Sequence, residues 1–205
     1  MDALRQHLAF LEPKLIDEIL ASGTVHEFPK GTEIMRESQY IKVLPMVLKG
    51  VVKVYARFDE KELLLYYIQP VQSCVMSFSS YLSQQPSKVY AITEEDVEIL
   101  MVPVEKVAEW LQAYPKFNHF FYRQYHLHYS ELLESIQHVL IDKMDKRLYD
   151  YLVQKTTVTH QEFVKLTHGQ IASELGTARE VVSRVLKKLE NETKISQTPN
   201  GIKIL

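Results

Sequence analysis

Residues 167–189 read Thr-His-Gly-Gln-Ile-Ala-Ser-Glu-Leu-Gly-Thr-Ala-Arg-Glu-Val-Val-Ser-Arg-Val-Leu-Lys-Lys-Leu. The stretch predicts two short helices joined by a tight turn at Gly176, because a glycine readily adopts the left-handed backbone that such a turn needs. Each helix start is marked by a Thr followed three residues later by Gln or Glu, the spacing of a capping box. The Thr hydroxyl accepts a backbone N–H, and the longer side chain accepts the N–H of the cap residue. The two pairs are Thr167 with Gln170 and Thr177 with Glu180.

The second helix combines an apolar stripe with a charged face, as a helix that packs on one side does. On the charged face, Arg179 and Arg184 suit the acceptor edge of guanine, and Glu180 can accept from the amino group of cytosine. Lys187 and Lys188 suit phosphate. The stretch therefore predicts a helix-turn-helix that reads bases in duplex DNA. The apolar stripe consists of Val182, Val185, Leu186 and Leu189.

The alternative is an ordinary pair of amphipathic helices with a solvated charged face. The caps, the glycine turn, the apolar stripe and the arginines agree with one another, which favours DNA reading. Residues 195–205 read as two short strands around the turn Pro199-Asn200-Gly201, the pattern of a β-hairpin. A hairpin that directly follows a recognition helix is a wing, and Lys203 would bring a cation to the phosphate backbone.

Composition limits the class of protein. The 205 residues suit one large or two small domains, and the single cysteine excludes an internal disulfide. No signal peptide or membrane span is evident, so we expect a cytoplasmic protein with no membrane partner. The net charge of −2 divides unevenly. Residues 141–205 hold 11 Lys/Arg and 8 Asp/Glu, whereas residues 1–140 hold 13 Lys/Arg and 18 Asp/Glu. A basic segment with the predicted helix-turn-helix, called the reader below, therefore follows an acidic module.

The order of patterns along the chain predicts an α+β fold. Short helical pieces up to about residue 21 precede several short apolar strands between Val25 and Val102, spaced as in an antiparallel barrel or roll. Helices are then expected over 104–113, 115–140 and 144–154, with 155–159 as an extended hinge before the reader.

The long helix carries apolar residues at alternating steps of four and three, which is heptad spacing. This stripe predicts pairing with a second copy of the chain, and the alternative is a helix buried wholly within one chain. The stripe consists of Tyr125, Tyr129, Leu132, Ile136 and Val139, and a second stripe of Phe120, Leu127 and Leu133 lies beside it.

The layout resembles the cyclic-AMP receptor/fumarate–nitrate regulator (Crp/Fnr) family of bacterial transcription regulators. The most specific part of the resemblance is residues 176–190, with weaker matches at 28–34 and 48–55. It implies an N-terminal antiparallel β-roll sensor with flanking helices (1–113), a dimerisation helix (114–140) and a C-terminal winged helix-turn-helix (141–205). It also implies a homodimer, a near-palindromic duplex DNA site and contact with RNA polymerase.

Within that resemblance, Arg179, Glu180 and Arg184 fall where the family reads bases. Val181 stands where the family usually has a threonine, so the polar contact of that threonine would become an apolar contact with a thymine methyl group. Thr167 and Ala178 fall where the family holds phosphates. The full set expected on the DNA backbone is Thr167, Gln170, Thr177, Ala178, Ser183, Lys187 and Lys188.

The corresponding sensor cassette lacks the charges that hold a cyclic nucleotide in this family. Met76 and Ser77 stand for the Gly-Glu pair, and Ser87 stands for the arginine that takes the cyclic phosphate. Lys88 is expected on the other face of its strand. We therefore predict no tight binding of cyclic AMP. Cys74 is a candidate thiol sensor, with a buried structural cysteine as the alternative.

No cofactor is predicted. The long helix carries His119, His126 and His128, but none forms the i,i+4 pair that would share a metal ion, so surface or dimer-contact roles are expected, with haem as the alternative. No nucleophile triad, phosphate-binding glycine loop or zinc motif indicates an enzyme. The remaining alternative is a ligand-binding or interaction module whose helix-turn-helix contacts protein.

Overall fold

The computed structural model describes residue 5 and residues 8–58, 61–140 and 143–205, with the side chains of 58, 61 and 137–140 excepted. In chain order the elements are α1 (Pro13–Ser22), β1 (Thr24–Phe28), β2 (Glu33–Met35), β3 (Val43–Lys49), β4 (Val52–Phe58), β5 (Lys61–Ile68), α2 (Val75–Leu82), β6 (Tyr90–Thr93), β7 (Val97–Pro103), α3 (Val104–Ala113), α4 (Pro115–Leu140), α5 (Met144–Thr159), β8 (Phe163–Val164), α6 (His168–Glu174), α7 (Arg179–Asn191), β9 (Ile195–Thr198) and β10 (Gly201–Ile204).

The predicted strands between residues 25 and 102 form two sheets, with orders β1-β7-β3 and β2-β6-β4-β5. In the first sheet, β7 pairs antiparallel with both neighbours, and Leu100 lies opposite Val25 of β1 and Met46 of β3. Leu100 is 1% exposed, because this strand faces the core under the flanking helices. The α+β class and the β-roll predicted from the sequence are confirmed.

The turn between β3 and β4 requires glycine. Gly50 has a φ of 81°, and a Cβ added there would lie 2.6 Å from the carbonyl oxygen of Asp96. Any other residue would meet both left-handed backbone strain and a steric clash.

The core of the roll joins the sheets to the helices before and after them. Trp110 of α3 donates from Nε1 to Glu18 of α1 at 2.8 Å, and the Tyr114 hydroxyl donates to the other oxygen of that carboxylate at 2.6 Å. The Tyr114 bond is the largest cause that lowers the pKa of Glu18, and the same bond raises the pKa of Tyr114 to about 12. These bonds fasten α1 to the α3–α4 corner.

One face of α4 packs into the roll core, and another presents large apolar side chains to solvent. Phe117 and Phe121 are 2% and 3% exposed. Tyr125, predicted in the dimer stripe, instead packs against this core and donates to the Val75 carbonyl at 3.4 Å. Tyr129 and Ile136 are exposed, as a docking stripe requires. Leu132 is half-buried, and the side chain of Val139 lies outside the described residues.

Residues 155–159, predicted as an extended hinge, are the last residues of α5. The prediction was wrong because the burial of Lys155 and Val158 on one side of this β-branched run holds it in the helix. The hydroxyls of Thr157 and Thr159 are satisfied within the helix by the carbonyls one turn back. The helix ends at His160, which adopts the left-handed conformation.

The chain divides into two compact units, residues 1–54 with 66–131 and residues 55–65 with 132–205. In the second unit the facing ends of β4 and β5 accompany the helix-turn-helix, where Ser173 of α6 bonds the carboxylate of Glu62 at 3.4 Å. The units divide α4 after Glu131, whereas the predicted boundaries treat 114–140 as one segment. In the parts of the chain that the structure describes, no helix has the length and apolarity of a membrane span.

Candidate nucleic-acid interface and sensor cassette

The first helix of the reader, α6, begins with the predicted capping box. The backbone N–H of Gln170 reaches Thr167 Oγ1 at 3.2 Å, and Gln170 Oε1 accepts from the Thr167 backbone at 2.8 Å and from its hydroxyl at 3.0 Å. Both side chains are exposed at the start of the helix. Two orphan donors of the helix start are satisfied, and the position of this end of the reader is fixed.

The second predicted capping box does not form. Ala178, not Thr177, is the N-cap of α7, and no side chain caps the helix. The helix starts one residue later than predicted, so its third residue is Val181, which cannot bond back. The Thr177 backbone N–H is taken by the Ala172 carbonyl at 2.9 Å, within the turn that Gly176 makes with a φ of 62°.

The predicted apolar stripe holds α7 against α6. Val182 and Leu186 are fully buried and Leu189 is 1% exposed. They pack with Ile171 of α6 and Leu148 of α5 in the core of the second unit. The opposite face of α7 is thereby turned to solvent.

Of the predicted base-reading side chains, Glu180 and Arg184 lie on that outer face, and Arg179 lies beside it at the start of the helix. At about 100° per residue, Glu180, Arg184 and Lys187 form one row opposite the buried stripe, and Arg179 stands at the first turn. All four are exposed. Within the described residues their side chains make no hydrogen bond or ion pair, so their donors and acceptors face water. The row combines guanidinium, carboxylate and ammonium groups as a base-reading surface does.

Lys188 differs from Lys187. Its Nζ pairs with Asp145 of α5 and lies 3.7 Å from Glu192. The Asp145 bond raises the pKa of Lys188, and the same bond lowers the pKa of Asp145. The charge of Lys188 is thus largely balanced within the chain, while the ammonium of Lys187 points to solvent. The phosphate role of Lys188 stays a prediction.

Ser183 is half-buried, and its hydroxyl both donates and accepts a hydrogen bond. Its hydroxyl donates to the Arg179 carbonyl at 3.0 Å, so it accepts from Nδ1 of His168 at 2.8 Å. His168 carries no signal of this contact in the sequence, because only the packing of α6 on α7 brings positions 168 and 183 together. The bond ties the first residue of α6 to the middle of the reader.

A buried polar cluster supports the turn of the reader and was likewise not predicted. Glu174 accepts from the Tyr151 hydroxyl at 2.7 Å and lies 3.3 Å from Lys155 Nζ, and all three side chains are buried. Arg147 donates to the carbonyl of Leu175 at 2.8 Å. Sequence periodicity gives no signal for such a cluster, since polar residues at buried positions look like solvent-facing ones.

The predicted wing forms a three-stranded sheet of order β8-β10-β9. Gly201 starts β10 with a φ of 126°, and a Cβ there would lie 2.7 Å from the Val164 carbonyl, so the turn needs glycine. Lys203 pairs with Glu162 and lies over the Phe163 ring at 5.8 Å. Its charge is therefore balanced by a neighbouring carboxylate.

The buried hydroxyl groups of the cassette find their hydrogen-bond partners within the chain. Ser77 is fully buried and its hydroxyl donates to Met35 Sδ at 2.8 Å. The Ser87 hydroxyl is buried and donates to the Val89 carbonyl at 2.7 Å. Met76 is half-buried and Lys88 is exposed. The strand placement predicted for Lys88 was wrong, because Ser87 and Lys88 lie in the loop before β6, which begins at Tyr90. No charged side chain replaces the missing arginine at these positions.

Cys74 is fully buried, next to the start of α2. Its sulfur lies 3.6 Å from the Tyr66 hydroxyl. Burial raises the pKa of Tyr66 well above its usual value, with the neighbouring cysteine as a second cause. The thiol is therefore closed to direct attack from solvent, which agrees with a structural cysteine.

His128 is a buried anchor of α4, not a surface or dimer-contact residue as predicted. It is 2% exposed and stacks on the Tyr66 ring at 4.4 Å. Nδ1 lies 2.9 Å from a Glu131 carboxylate oxygen and Nε2 lies 3.1 Å from the Ser73 carbonyl. Both partners are acceptors, so both bonds form when both ring nitrogens carry hydrogen. Among the described residues, no three His, Cys, Asp or Glu side chains converge as a metal ion requires.

Two domain families match the chain in sequence. Residues 25–114 match the cyclic nucleotide-binding domain, and residues 146–205 match the Crp-like helix-turn-helix domain. The first match covers the roll and the second covers the reader and its wing.

Relatives and solved structures share this arrangement. The "cAMP-activated global transcriptional regulator CRP" of Haemophilus influenzae is 24% identical over 190 residues, 88% of this chain and 84% of the relative. A Eubacterium rectale structure described within the crp/fnr family superposes with a TM-score of 0.80, at 23% identity, over 95% of this chain and 91% of the other.

The c-di-GMP responsive global regulator CLP of Xanthomonas campestris superposes with a TM-score of 0.74, at 18% identity, over 94% of this chain and 99% of the other. The two matched domains stand in the same order as in these regulators, with the exposed charged face of α7 in the second. The chain belongs to the Crp/Fnr family of transcription regulators.

Proposed function

We propose that the protein binds a near-palindromic duplex DNA site as a homodimer, with α7 of each copy in the major groove. The observation that carries this proposal is the outer face of α7. Arg179, Glu180, Arg184 and Lys187 are exposed and without partners among the described residues, on a helix whose other face is fully buried. In a symmetric dimer the two helices enter successive major grooves about 34 Å apart.

The base contacts we propose are Arg179, Glu180 and Arg184. The backbone contacts include Thr167 and Gln170 at the start of α6, with Thr177 and Ala178 around the turn and Ser183, Lys187 and Lys188 on α7. The exposed capping box supports the α6 contacts, because Thr167 and Gln170 sit at a fixed helix start. Lys188 would have to exchange Asp145 for a phosphate, so we expect it to contribute less than Lys187.

Dimerisation is supported by an apolar stripe on α4 that the described residues leave uncovered. Tyr122 and Tyr129 are 69% and 60% exposed, and Leu133 and Ile136 follow one and two turns later at 47% and 44%. Solvent-facing apolar stripes of this length on one helix favour a second helix as the partner. Compared with the expected stripe, Tyr122 replaces Tyr125, which packs against its own core, and the exposed Leu133, expected in the second stripe, replaces the half-buried Leu132.

We propose that any effector in the roll is not cyclic AMP. The positions that would bear the glutamate and arginine are Ser77 and Ser87, whose hydroxyls are buried and bonded within the chain. A cyclic phosphate would be buried there without a counter-charge, which is costly. Titration calorimetry with cyclic AMP tests this: no heat of binding is expected, and micromolar affinity would refute it. Haem remains the alternative cofactor, and a Soret band from the purified protein would reveal it.

The family comparison supports contact with RNA polymerase, a cytoplasmic location beside the DNA, and a regulatory rather than catalytic role. The alternative is an interaction module whose helix-turn-helix contacts protein. The free guanidinium groups of α7 favour DNA, since no apolar patch accompanies them on that face.

The test is a mobility-shift titration against a selected operator, with Arg179→Ala compared with the parent. Losing one bidentate base contact should cost about 1–3 kcal/mol and relax the preference at one base pair in each half-site. The matched control is Arg36→Ala, an exposed arginine of the roll that pairs with Glu33. Equal operator affinity for Arg179→Ala and the parent would contradict the assignment.

A further inference from the structure

An apolar groove of about 470 Å³ opens between α4 and the helices α2 and α3, within the first unit. One of its walls is Phe121, which is 3% exposed, and its rim carries Tyr122 and Leu82, which are 69% and 59% exposed. None of the described residues that line the groove carries a charge. A small polar molecule would therefore find no charged group there to fix its orientation.

The α4 wall of the groove has the spacing of a coiled-coil hole. It consists of Asn118, Phe121, Tyr122 and Tyr125, which are positions i−4, i−1, i and i+3 around Tyr122. In a parallel pair of helices, four residues at this spacing form the hole that receives residue i of the partner helix. At about 100° per residue, the other three all lie to one side of Tyr122, so they form one continuous wall. The groove thus matches a hole for a tyrosine from a second copy of the chain.

Tyr122 also shares the heptad position of the exposed stripe. Tyr129 and Ile136 follow it at intervals of seven residues, and all three side chains are exposed. Parallel pairing through this position places each residue beside the same residue of the partner. The Tyr122 side chain of each copy then meets the groove of the other, and the contact occurs twice in a symmetric dimer.

The stripe alone is smaller than a stable dimer needs. Stable protein interfaces bury about 800 Å² per partner. The four exposed side chains of the stripe offer roughly half of that area. A tyrosine seated in each groove adds contacts with α2 and α3, where Leu82 is exposed and Leu111 is half-buried. The groove therefore supplies area that the pairing of α4 alone lacks.

We propose that this groove is the socket for Tyr122 of a second copy in a parallel dimer. The ring of the partner's Tyr122 packs against Leu82 of α2 and Leu111 of α3, and the reciprocal contact forms on the other copy. The inference rests on the proposed homodimer and deepens it, because α2, which carries Met76 and Ser77 of the sensor cassette, becomes part of the interface. A displacement of α2 then changes the affinity of dimerisation, and by linkage dimerisation biases the position of α2.

Sedimentation equilibrium of the full-length protein measures the dissociation constant of the dimer. Leu82→Ala should raise this constant about tenfold, because an apolar contact is lost in both sockets. Tyr122→Ala should raise it at least about thirtyfold, the effect of removing a central aromatic anchor. Leu82→Met keeps an apolar side chain of similar volume and should stay near the parent. The matched control is Tyr40→Ala, which removes a tyrosine that is 63% exposed outside the groove and the stripe, and which should leave the constant unchanged.

Mixed pairs of labelled copies show whether Leu82 meets Tyr122 of the partner. If it does, a Leu82→Ala copy paired with a Tyr122→Ala copy keeps one socket contact, because both changes fall in the same socket. A copy with both substitutions, paired with the parent, loses the contact in both sockets. Energy transfer between the labels should therefore report the first pair as about threefold tighter, since each socket accounts for half of the tenfold effect of Leu82→Ala. A contact within one chain gives the first pair no such advantage.

The socket is supported if Leu82→Ala weakens the dimer, if Leu82→Met and Tyr40→Ala do not, and if the first mixed pair is the tighter one. A dimer whose affinity Leu82→Ala leaves unchanged overturns the socket alone, and so do two mixed pairs of equal affinity. A parent that stays monomeric at high micromolar concentration overturns the proposed homodimer together with the socket. Leu82 and Tyr122 are exposed, so their variants should keep the fold, and Leu82→Met keeps the test decisive by separating lost contact from damage at this position.

Discussion

The two threonines of the reader, Thr167 and Thr177, precede helices in the same sequence pattern, but only Thr167 caps one. Replacing each with alanine therefore gives a matched pair. Thr167→Ala removes the hydroxyl that accepts the Gln170 N–H and that donates to Gln170 Oε1. Thr177→Ala removes a hydroxyl that caps nothing, because Ala178 is the N-cap of α7.

The expected magnitudes follow from those bonds. Losing a threonine N-cap costs typically about 1 kcal/mol. Thr167→Ala keeps the bond from its own backbone N–H to Gln170, so we expect about 1 kcal/mol rather than the upper end of the range. Thr177→Ala should change the free energy of opening by at most a few tenths, since the Thr177 backbone bond to Ala172 is kept.

Hydrogen exchange followed by mass spectrometry on the full chain measures the difference. A loss of about 1 kcal/mol should speed exchange of the protected amides in 168–175 about fivefold for Thr167→Ala. Thr177→Ala should leave that peptide near the parent rate, and Thr167→Ser should restore it. Equal effects of the two alanine variants would refute the assignment of caps.

Three further outcomes follow from buried and bonded groups. Hydrogen bonds lower the pKa of Glu18 from 4.5, so the stabilisation that its carboxylate provides is fully present above pH 4.5 and is lost as the pH falls through the folded pKa. Tyr114→Phe should make this loss smaller in urea midpoints measured against pH. Glu131→Ala should destabilise the first unit by roughly 1–3 kcal/mol in chemical denaturation, because it removes the partner of the buried His128 Nδ1; an unchanged midpoint would count against the anchor. Leu186→Ala should cost about 2–5 kcal/mol in the second unit, as a fully buried leucine does; a cost below that of an exposed leucine would contradict the packing.

Much of the fold could be predicted because its signals are local. The turn at Gly176, the stripe on α7 and the wing turn at Gly201 depend on backbone conformation and helical periodicity, which a short stretch specifies. The outer row with Arg184 followed from the same periodicity. Its exposure in the structure agrees with that expectation.

The errors concern features that depend on distant partners. Thr177 has the spacing of a cap, but its backbone is used by the turn from α6. His128 looked like any polar residue on a long helix, and only the roll supplies the Tyr66 ring and the Ser73 carbonyl that bury it. Tyr125 fits a heptad, yet it is drawn into the core of its own chain. Local patterns do not report which of two neighbouring surfaces a side chain meets.

Selection of bound sequences from a random duplex pool, with the full-length protein and with Arg179→Ala, tests the central claim most directly. The account predicts an inverted repeat whose half-site centres lie about 34 Å apart, with one base pair of each half relaxed in the variant. Enrichment of no sequence, or of a single asymmetric half-site that Arg179→Ala reads equally well, would contradict it.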